Sequence, residues 1–284
     1  MVQTMYLWFI HNYTLCIVML GTGILGATAG AIGVFATLRK QTLLGDAISH
    51  AALPGIAIAF LYSPQKTVFP LLIGGACTGT LATALTLYIA KKTTIKTDTL
   101  LGIMLSVFFG IGLVLITIIQ QQEHTHAAII NNFIFGNAST ILVSDLIYLS
   151  AIALLVLTCL TIWFKECALT TFDPSFAHTT GHRVIFFDVL LTTLLLCTII
   201  IGLQMVGVIL MSALIIAPAA AARQWTHHLH IMALLSATIG GTCGIIGSLI
   251  SNSFDHIPTG PTIVICLSVI VLLSCLSTTQ KAQL

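Results

Sequence analysis

The chain has very few charged residues. Of its 284 residues, 6% are Asp, Glu, Lys or Arg and 57% are hydrophobic. Soluble domains carry about 25% charged residues, so this composition excludes a water-soluble fold. No basic cluster with interleaved aromatic residues is present, which argues against nucleic acid as a partner. The scarcity of charge therefore predicts a polytopic membrane protein.

Several motifs that would supply chemistry are also absent. The sequence has no G-x-x-x-x-G-K-[ST] loop for ATP and no H-E-x-x-H zinc motif. Its eight cysteines form no C-x-x-C pair, and most of them lie in apolar runs, so we interpret them as small buried hydrophobic residues. Because the ATP-binding loop is absent, any ATP-driven step needs a separate subunit.

What the sequence does contain is apolar segments of membrane-spanning length. Nine can be marked, at roughly residues 14–38, 42–62, 68–90, 99–119, 140–164, 184–203, 205–223, 231–251 and 261–278. None alternates like a barrel strand, and lipid excludes irregular backbone. The sixth and seventh segments are almost continuous, so they form either a tight hairpin at Gly202 and Gly207 or one broken segment. We predict one all-α membrane domain spanning residues 1–284, a bundle of eight or nine transmembrane helices.

The basic residues predict the orientation of the bundle through the positive-inside rule. With the N-terminus outside and every segment crossing, only Lys66 of the ten Lys and Arg residues lies outside. The nine predicted cytoplasmic residues are Arg39, Lys40, Lys91, Lys92, Lys96, Lys165, Arg183, Arg223 and Lys281.

Asp46 and His50 are two ionisable residues within an otherwise apolar segment. Side chains four residues apart share one helix face, and ionisable residues inside a membrane are functional candidates by default. Counted from Lys40 at the cytoplasmic edge, His50 is about 15 Å deep, which predicts a position near the bilayer midplane.

A carboxylate with an imidazole suits Mn²⁺, Fe²⁺ or Zn²⁺. Two ligands do not complete a shell, and the rest could be water, another helix or the same pair of a second subunit. The alternative is an Asp46–His50 hydrogen bond that only ties helices together.

Residues 171–183 form a polar stretch between two predicted spans. Asp173 can cap a short helix that begins at Pro174, and Gly181 can end it. This cytoplasmic stretch predicts either a docking helix for a partner or a capped surface loop. The loop histidines are interpreted as solvated residues: His124, His126, His227, His228, His230 and His256.

Three stretches together resemble the ABC-type manganese/zinc/iron permease family. Residues 39–55 are similar to its signature, and residues 206–223, an apolar run with Pro-Ala-Ala near its end, are similar to its second hallmark. Residues 173–181 resemble its degenerate coupling-helix motif. Ala177 and Gly181 match that motif, whereas Ser175 stands where many importers have glutamate.

This resemblance implies a multi-pass permease of the bacterial inner membrane, not an enzyme, working as a dimer of identical or paralogous permeases. The expected partners are two cytoplasmic ATPase subunits and an extracytoplasmic metal-binding protein. Asp46 and His50 map onto the metal-coordinating positions, and Asp173, Pro174, Ala177 and Gly181 onto the ATPase-coupling helix. Mn²⁺, Zn²⁺ or Fe²⁺ is expected as the transported ion, with no permanently bound cofactor.

Two other classes compete with this prediction. A secondary metal/proton antiporter can also place Asp and His one turn apart on a membrane helix. An intramembrane enzyme could use Asp46 and His50 as acid and base, but no nucleophile stands at a suitable spacing.

Overall fold

The computed structural model describes residues 13–62, 68–122, 143–254 and 258–281, and within these ranges the chain is helical without strands. Ten helices lie within these described ranges. They are α1 Tyr13–Leu38, α2 Leu43–Tyr62, α3 Val68–Lys92, α4 Thr97–Gln122, α5 Val143–Ile162, α6 Phe164–Phe172, α7 Pro174–Thr179, α8 Val184–Trp225, α9 Leu229–Ser253 and α10 Thr259–Lys281. The predicted all-α membrane class is confirmed.

Eight of these helices are long and apolar enough to cross a membrane, while α6 and α7 are short. Helices α1 and α2 are the most buried spans, at 72% each, whereas α5 is 22% buried. The helix that carries Asp46 and His50 is therefore central, and α2 continues through Pro54 without ending there.

Helix α8 contains a break, and this break determines the number of apolar segments in the bundle. Gly207 has φ 77° and ψ 172°, a conformation that glycine adopts without strain. We call residues 184–206 α8a and residues 208–225 α8b. No break of this kind occurs at Pro218, which stays within the helix.

The two parts of α8 run in opposite directions along α1. Asp188 pairs with Arg39 at the end of α1. Further along the chain, Met205 lies against Gly21, and Ile215 then lies against Gly33. The chain therefore reverses at Gly207 and returns toward the end from which it came. The predicted hairpin between the sixth and seventh segments is present, and α8b is a ninth apolar segment.

The reversal brings basic residues to one end of the bundle. Ala222, beside Arg223, belongs to a cluster against which Leu38 packs, and Leu38 precedes Arg39. Arg39 in turn contacts Asp188 near the start of α8. These contacts place Arg39 and Arg223 at the same end, as the positive-inside assignment requires.

Small residues let α1 and α9 approach closely. The Gly26 and Gly240 backbones are in direct contact, with no space for a Cβ atom between them. On either side of this contact, Thr22 Oγ donates to the Gly244 carbonyl at 3.0 Å and Ser236 Oγ donates to the Gly30 carbonyl at 2.7 Å. These glycines therefore allow close helix packing in lipid.

Candidate metal site and coupling helix

Asp46 and His50 face the same way on α2, as their spacing predicts. His50 Nε2 lies 3.4 Å from Asp46 Oδ1, which is longer than the ~2.9 Å of a well-formed hydrogen bond. Asp46 lies in the first turn of α2, where the helix dipole favours a carboxylate. Both residues lie in the half of α2 that follows the turn after Arg39.

The surroundings hold His50 firmly. Its ring packs edge-on against Phe109 of α4, with ring centroids 4.7 Å apart. The side chains of His50 and Asp46 are 19% and 33% exposed, so each is partly accessible from outside the protomer. His50 Nδ1 is buried and has no hydrogen-bond partner. The imidazole is thus oriented by packing and not by a second hydrogen bond.

The separation of the two ligand atoms suits a shared ion. Two atoms that are each about 2.1 Å from an ion and subtend a tetrahedral angle lie about 3.4 Å apart, which is the distance observed between His50 Nε2 and Asp46 Oδ1. Within the described ranges, no group of three or more His, Cys, Asp or Glu side chains comes together. One protomer therefore offers a two-atom clamp and leaves other coordination positions open.

The stretch after α6 forms the short helix that the sequence predicts. Asp173 Oδ1 accepts a hydrogen bond from the Phe176 N–H at 2.9 Å, and Pro174 occupies the first turn. Gly181 has φ 85°, and the next N–H, of His182, donates to the Ala177 carbonyl at 3.0 Å. This pattern is a Schellman motif, which satisfies the last carbonyls of α7.

Helix α7 has one buried face and one exposed apolar face. Ala177 is fully buried, which fixes α7 against the bundle. Phe172 and Phe176 are 64% and 54% exposed, and Ile185 and Phe186 are also exposed nearby in sequence. Large exposed apolar side chains are typical of a partner surface. Sequence analysis did not single out these side chains, because apolar residues are common throughout the chain.

Arg39 is a further polar residue whose contacts the sequence did not indicate. Its guanidinium donates to Asp188 Oδ1 at 2.7 Å, to Thr171 Oγ1 at 3.0 Å and to Thr170 Oγ1 at 3.3 Å. These three partners belong to α6 and α8, which flank α7. The sequence signal for these contacts was that residue 39 is Arg, because the forked guanidinium can donate to several partners at once.

Among the described residues, the other histidines and the sulfur-containing side chains do not join the Asp46–His50 pair. His227, His228 and His230 are exposed, and the rings of His228 and His230 have centroids 6.0 Å apart. Met205 and Met211 are buried in the core, as packing predicts. The other residues of the loop predictions, Lys66, His124, His126 and His256, lie outside the described residues.

The eight long apolar helices define a class, a polytopic helical membrane protein. The family description narrows the class. The sequence profile of the ABC 3 transport family matches residues 11–278, and the chain belongs to that family. It is therefore a transport permease subunit of the multi-pass bacterial inner-membrane type, and the resemblance found in the sequence is confirmed.

Individual relatives agree with the family. The chain is 42% identical over 273 residues to the zinc transport system membrane protein TroC of Treponema pallidum, covering 96% of this chain and 92% of that protein. It is 41% identical over 257 residues to the manganese transport system membrane protein MntC of Bacillus subtilis, covering 90% of this chain and 59% of MntC.

A solved structure has the same architecture. PsaBC from Streptococcus pneumoniae in complex with Fab superposes with a TM-score of 0.83 at 32% identity. The match covers 96% of this chain and 95% of that one. Of the two relatives named above, one is a zinc and the other a manganese transport system membrane protein, so both are metal transport proteins.

Proposed function

We propose that this chain is the permease subunit of an ATP-driven importer for Mn²⁺, Zn²⁺ or Fe²⁺. The ion is passed to it by an extracytoplasmic binding protein and released into the cytoplasm. The names of its relatives support a divalent metal cargo. The absence of a nucleotide-binding P-loop in the sequence supports a separate ATPase as the energy source.

The observation that carries this proposal is the Asp46–His50 clamp. The two ligand atoms are 3.4 Å apart, on a central helix, with His50 oriented by Phe109. Carboxylate oxygen and imidazole nitrogen suit all three ions, so the pair defines the class of ion and not one member. A transport site benefits from an incomplete shell, because an ion that is held by few ligands can leave again.

A second permease copy supplies the missing ligands in this proposal. Each protomer provides Asp46 and His50, and two such pairs would give the four ligands of a tetrahedral site. The second pair would approach the exposed parts of the His50 and Asp46 side chains. The ion then leaves by separation of the two pairs, without breaking up either protomer.

The ATPase subunits act through α7. Ala177 anchors the helix, and the exposed Phe172 and Phe176 provide an apolar surface for a cytoplasmic subunit. The cap at Asp173 and the turn at Gly181 keep the helix formed while that surface is contacted. Asp173, Pro174, Ala177 and Gly181 therefore maintain the docking element.

The test is metal uptake by proteoliposomes that contain the chain with its ATPase subunits and binding protein. Asp46→Asn and His50→Ala are expected to abolish ATP-dependent uptake while the complex still assembles, because each removes one ligand of the clamp. Ser49→Ala is the matched control, since the buried Ser49 hydroxyl bonds only to the Gly45 carbonyl of its own helix. Competing ions in the same assay identify the preferred metal.

Two results would contradict the proposal. Normal uptake by both Asp46→Asn and His50→Ala would remove the assigned site. Uptake by the chain alone, driven by a pH gradient without ATP, would instead identify a secondary metal/proton antiporter.

A further inference from the structure

Arg39 links the region of the coupling helix to the helix that carries the metal ligands. We propose that Arg39 is a positioning residue for transport, which transmits displacement of α7 to the first turn of α2. This inference rests on the proposed function, because it assigns a route by which ATP-driven movement reaches Asp46. Arg39 itself touches neither the ion nor an ATPase subunit in this proposal.

The Arg39 side chain is held on several sides at once. Only 11% of it is exposed, and its three donor nitrogens bond to Thr171, Thr170 and Asp188. Thr170 and Thr171 are themselves fixed, since each hydroxyl also donates to the Cys167 carbonyl, at 3.2 Å and 2.6 Å. The planar guanidinium is thus locked to two helices and has little freedom to move independently of them.

One end of this linkage leads directly to α7. Thr171 is two residues before Asp173, the single residue between α6 and α7. The Asp173 N–H donates to the Leu169 carbonyl at 2.9 Å, so the end of α6 and the start of α7 share one hydrogen-bonded residue. On the other side of α7, Asp188 lies in the second turn of α8. Arg39 therefore contacts both elements that flank α7.

The other end leads to α2 through a short, rigid turn. The Gln41 N–H donates to the Ala36 carbonyl at 2.9 Å, and the Lys40 N–H donates to the Thr37 carbonyl at 3.1 Å. Lys40 has φ 57°, the left-handed conformation of a Schellman motif. The Leu44 N–H then donates to the Gln41 carbonyl at 3.0 Å, which joins the turn to the first turn of α2.

These contacts form one continuous path, made of hydrogen bonds and of short covalent steps along the backbone. It runs from α7 through Asp173 and Thr171 to Arg39, and from Arg39 through the turn to α2, where Asp46 occupies the first turn. A chain of packed and hydrogen-bonded groups can carry coupling between separate sites. A displacement of α7 that pulls on Arg39 thereby alters the position of Asp46 relative to its counterpart in a second copy.

The experiment compares ATP hydrolysis with metal transport in the reconstituted complex. Arg39→Lys keeps the charge but cannot make the three forked hydrogen bonds. We expect the ratio of ATP hydrolysed to metal transported to rise about tenfold or more, which is the effect of losing a charge-assisted hydrogen bond from one conformational step. A merely structural role would lower the complex yield and both rates together, and leave the ratio unchanged.

Trp225→Phe is the matched control. It removes another bond between helices, from Trp225 Nε1 to Ser274 Oγ at 2.9 Å. That bond involves none of the side chains that bond to Arg39, which are Thr170, Thr171 and Asp188. Its ratio should equal that of the unaltered chain. If Arg39→Lys does not assemble, two partner variants replace it. Thr171→Val removes one acceptor of Arg39, and Asp188→Asn keeps an acceptor oxygen but removes the negative charge. Both are expected to raise the ratio by smaller factors.

An unchanged ratio in the Arg39→Lys complex, or in both partner variants, would overturn the inference. That outcome would leave the proposed function intact as long as the unaltered complex transports metal with ATP and Asp46→Asn does not. Failure of the unaltered complex to transport metal with ATP would instead contradict the proposed function.

Discussion

The contact between α1 and α9 makes Gly26→Ala a sharp test of the packing. A Cβ atom at residue 26 would lie 2.6 Å from the Gly240 carbonyl carbon, closer than any ordinary non-bonded contact. The obstacle is backbone, so no side-chain rotation can relieve it. The two helices must separate by roughly 1 Å to restore normal contact distances.

The size of the effect follows from three contributions, two that destabilise the fold and one that stabilises it. Overpacking of this kind costs about 1–3 kcal/mol. Alanine in place of glycine favours the helix by up to about 1 kcal/mol. Separation would also lengthen the flanking bonds of Thr22 and Ser236, each worth about 0.6 kcal/mol in a membrane. The net expectation is that Gly26→Ala lowers the free energy of unfolding by about 1–3 kcal/mol.

Gly110→Ala on α4 is the matched control, because a Cβ atom there has no neighbour within 4 Å. It gains the same helix preference without the collision, so the difference between the two variants isolates the overpacking cost. The assay is equilibrium unfolding of the purified chain in detergent micelles, followed by circular dichroism. Equal stability of Gly26→Ala and Gly110→Ala would refute the close contact between α1 and α9.

Two further predictions concern the cytoplasmic elements. Asp173→Ala removes the N-cap of α7, which is worth about 1 kcal/mol. This variant is expected to bind the purified ATPase subunit about fivefold more weakly. Asp173→Ser keeps a capping oxygen and should bind normally. Burial raises the pKa of the Cys167 thiol to about 11 from its usual 9.0, and Cys167 lies on α6, outside the membrane-spanning helices. The unfolded chain therefore ionises first, so Cys167 should lower the free energy of unfolding from pH 9 to 11, by about 1 kcal/mol at pH 10. In urea titrations, Cys167→Ala should reduce the slope of stability against pH by that amount.

Local patterns made the candidate metal site predictable. Asp46 and His50 are four residues apart, and on any helix that spacing brings two side chains together. That spacing accounts for their proximity, with 3.4 Å between the ligand atoms. The packing of Phe109 against His50 was not predictable, because it depends on how α4 crosses α2. The depth of the pair was predicted by counting residues from Lys40. The structure places Asp46 in the first turn of α2, and the position of the pair near the bilayer midplane stays a prediction.

The short helix α7 was predictable for the same reason. A capping Asp, a Pro in the first turn and a Gly after the last turn act over a few residues, so they can be read without knowledge of the fold. The capped helix from Pro174 to Thr179 is present. Its role in docking an ATPase stays a prediction.

The sequence by itself determined the membrane class, the apolar helices and the residues that share a turn or a cap, because hydrophobic length and local hydrogen bonding depend on neighbouring residues. The tertiary structure decided the rest. The reversal at Gly207 became certain only from contacts of Met205 and Ile215 with α1. The bond between Arg39 and Asp188 joins residues 149 positions apart, and no local pattern encodes such a pairing. Which helices meet, and therefore what Arg39 connects, depends on packing among distant segments.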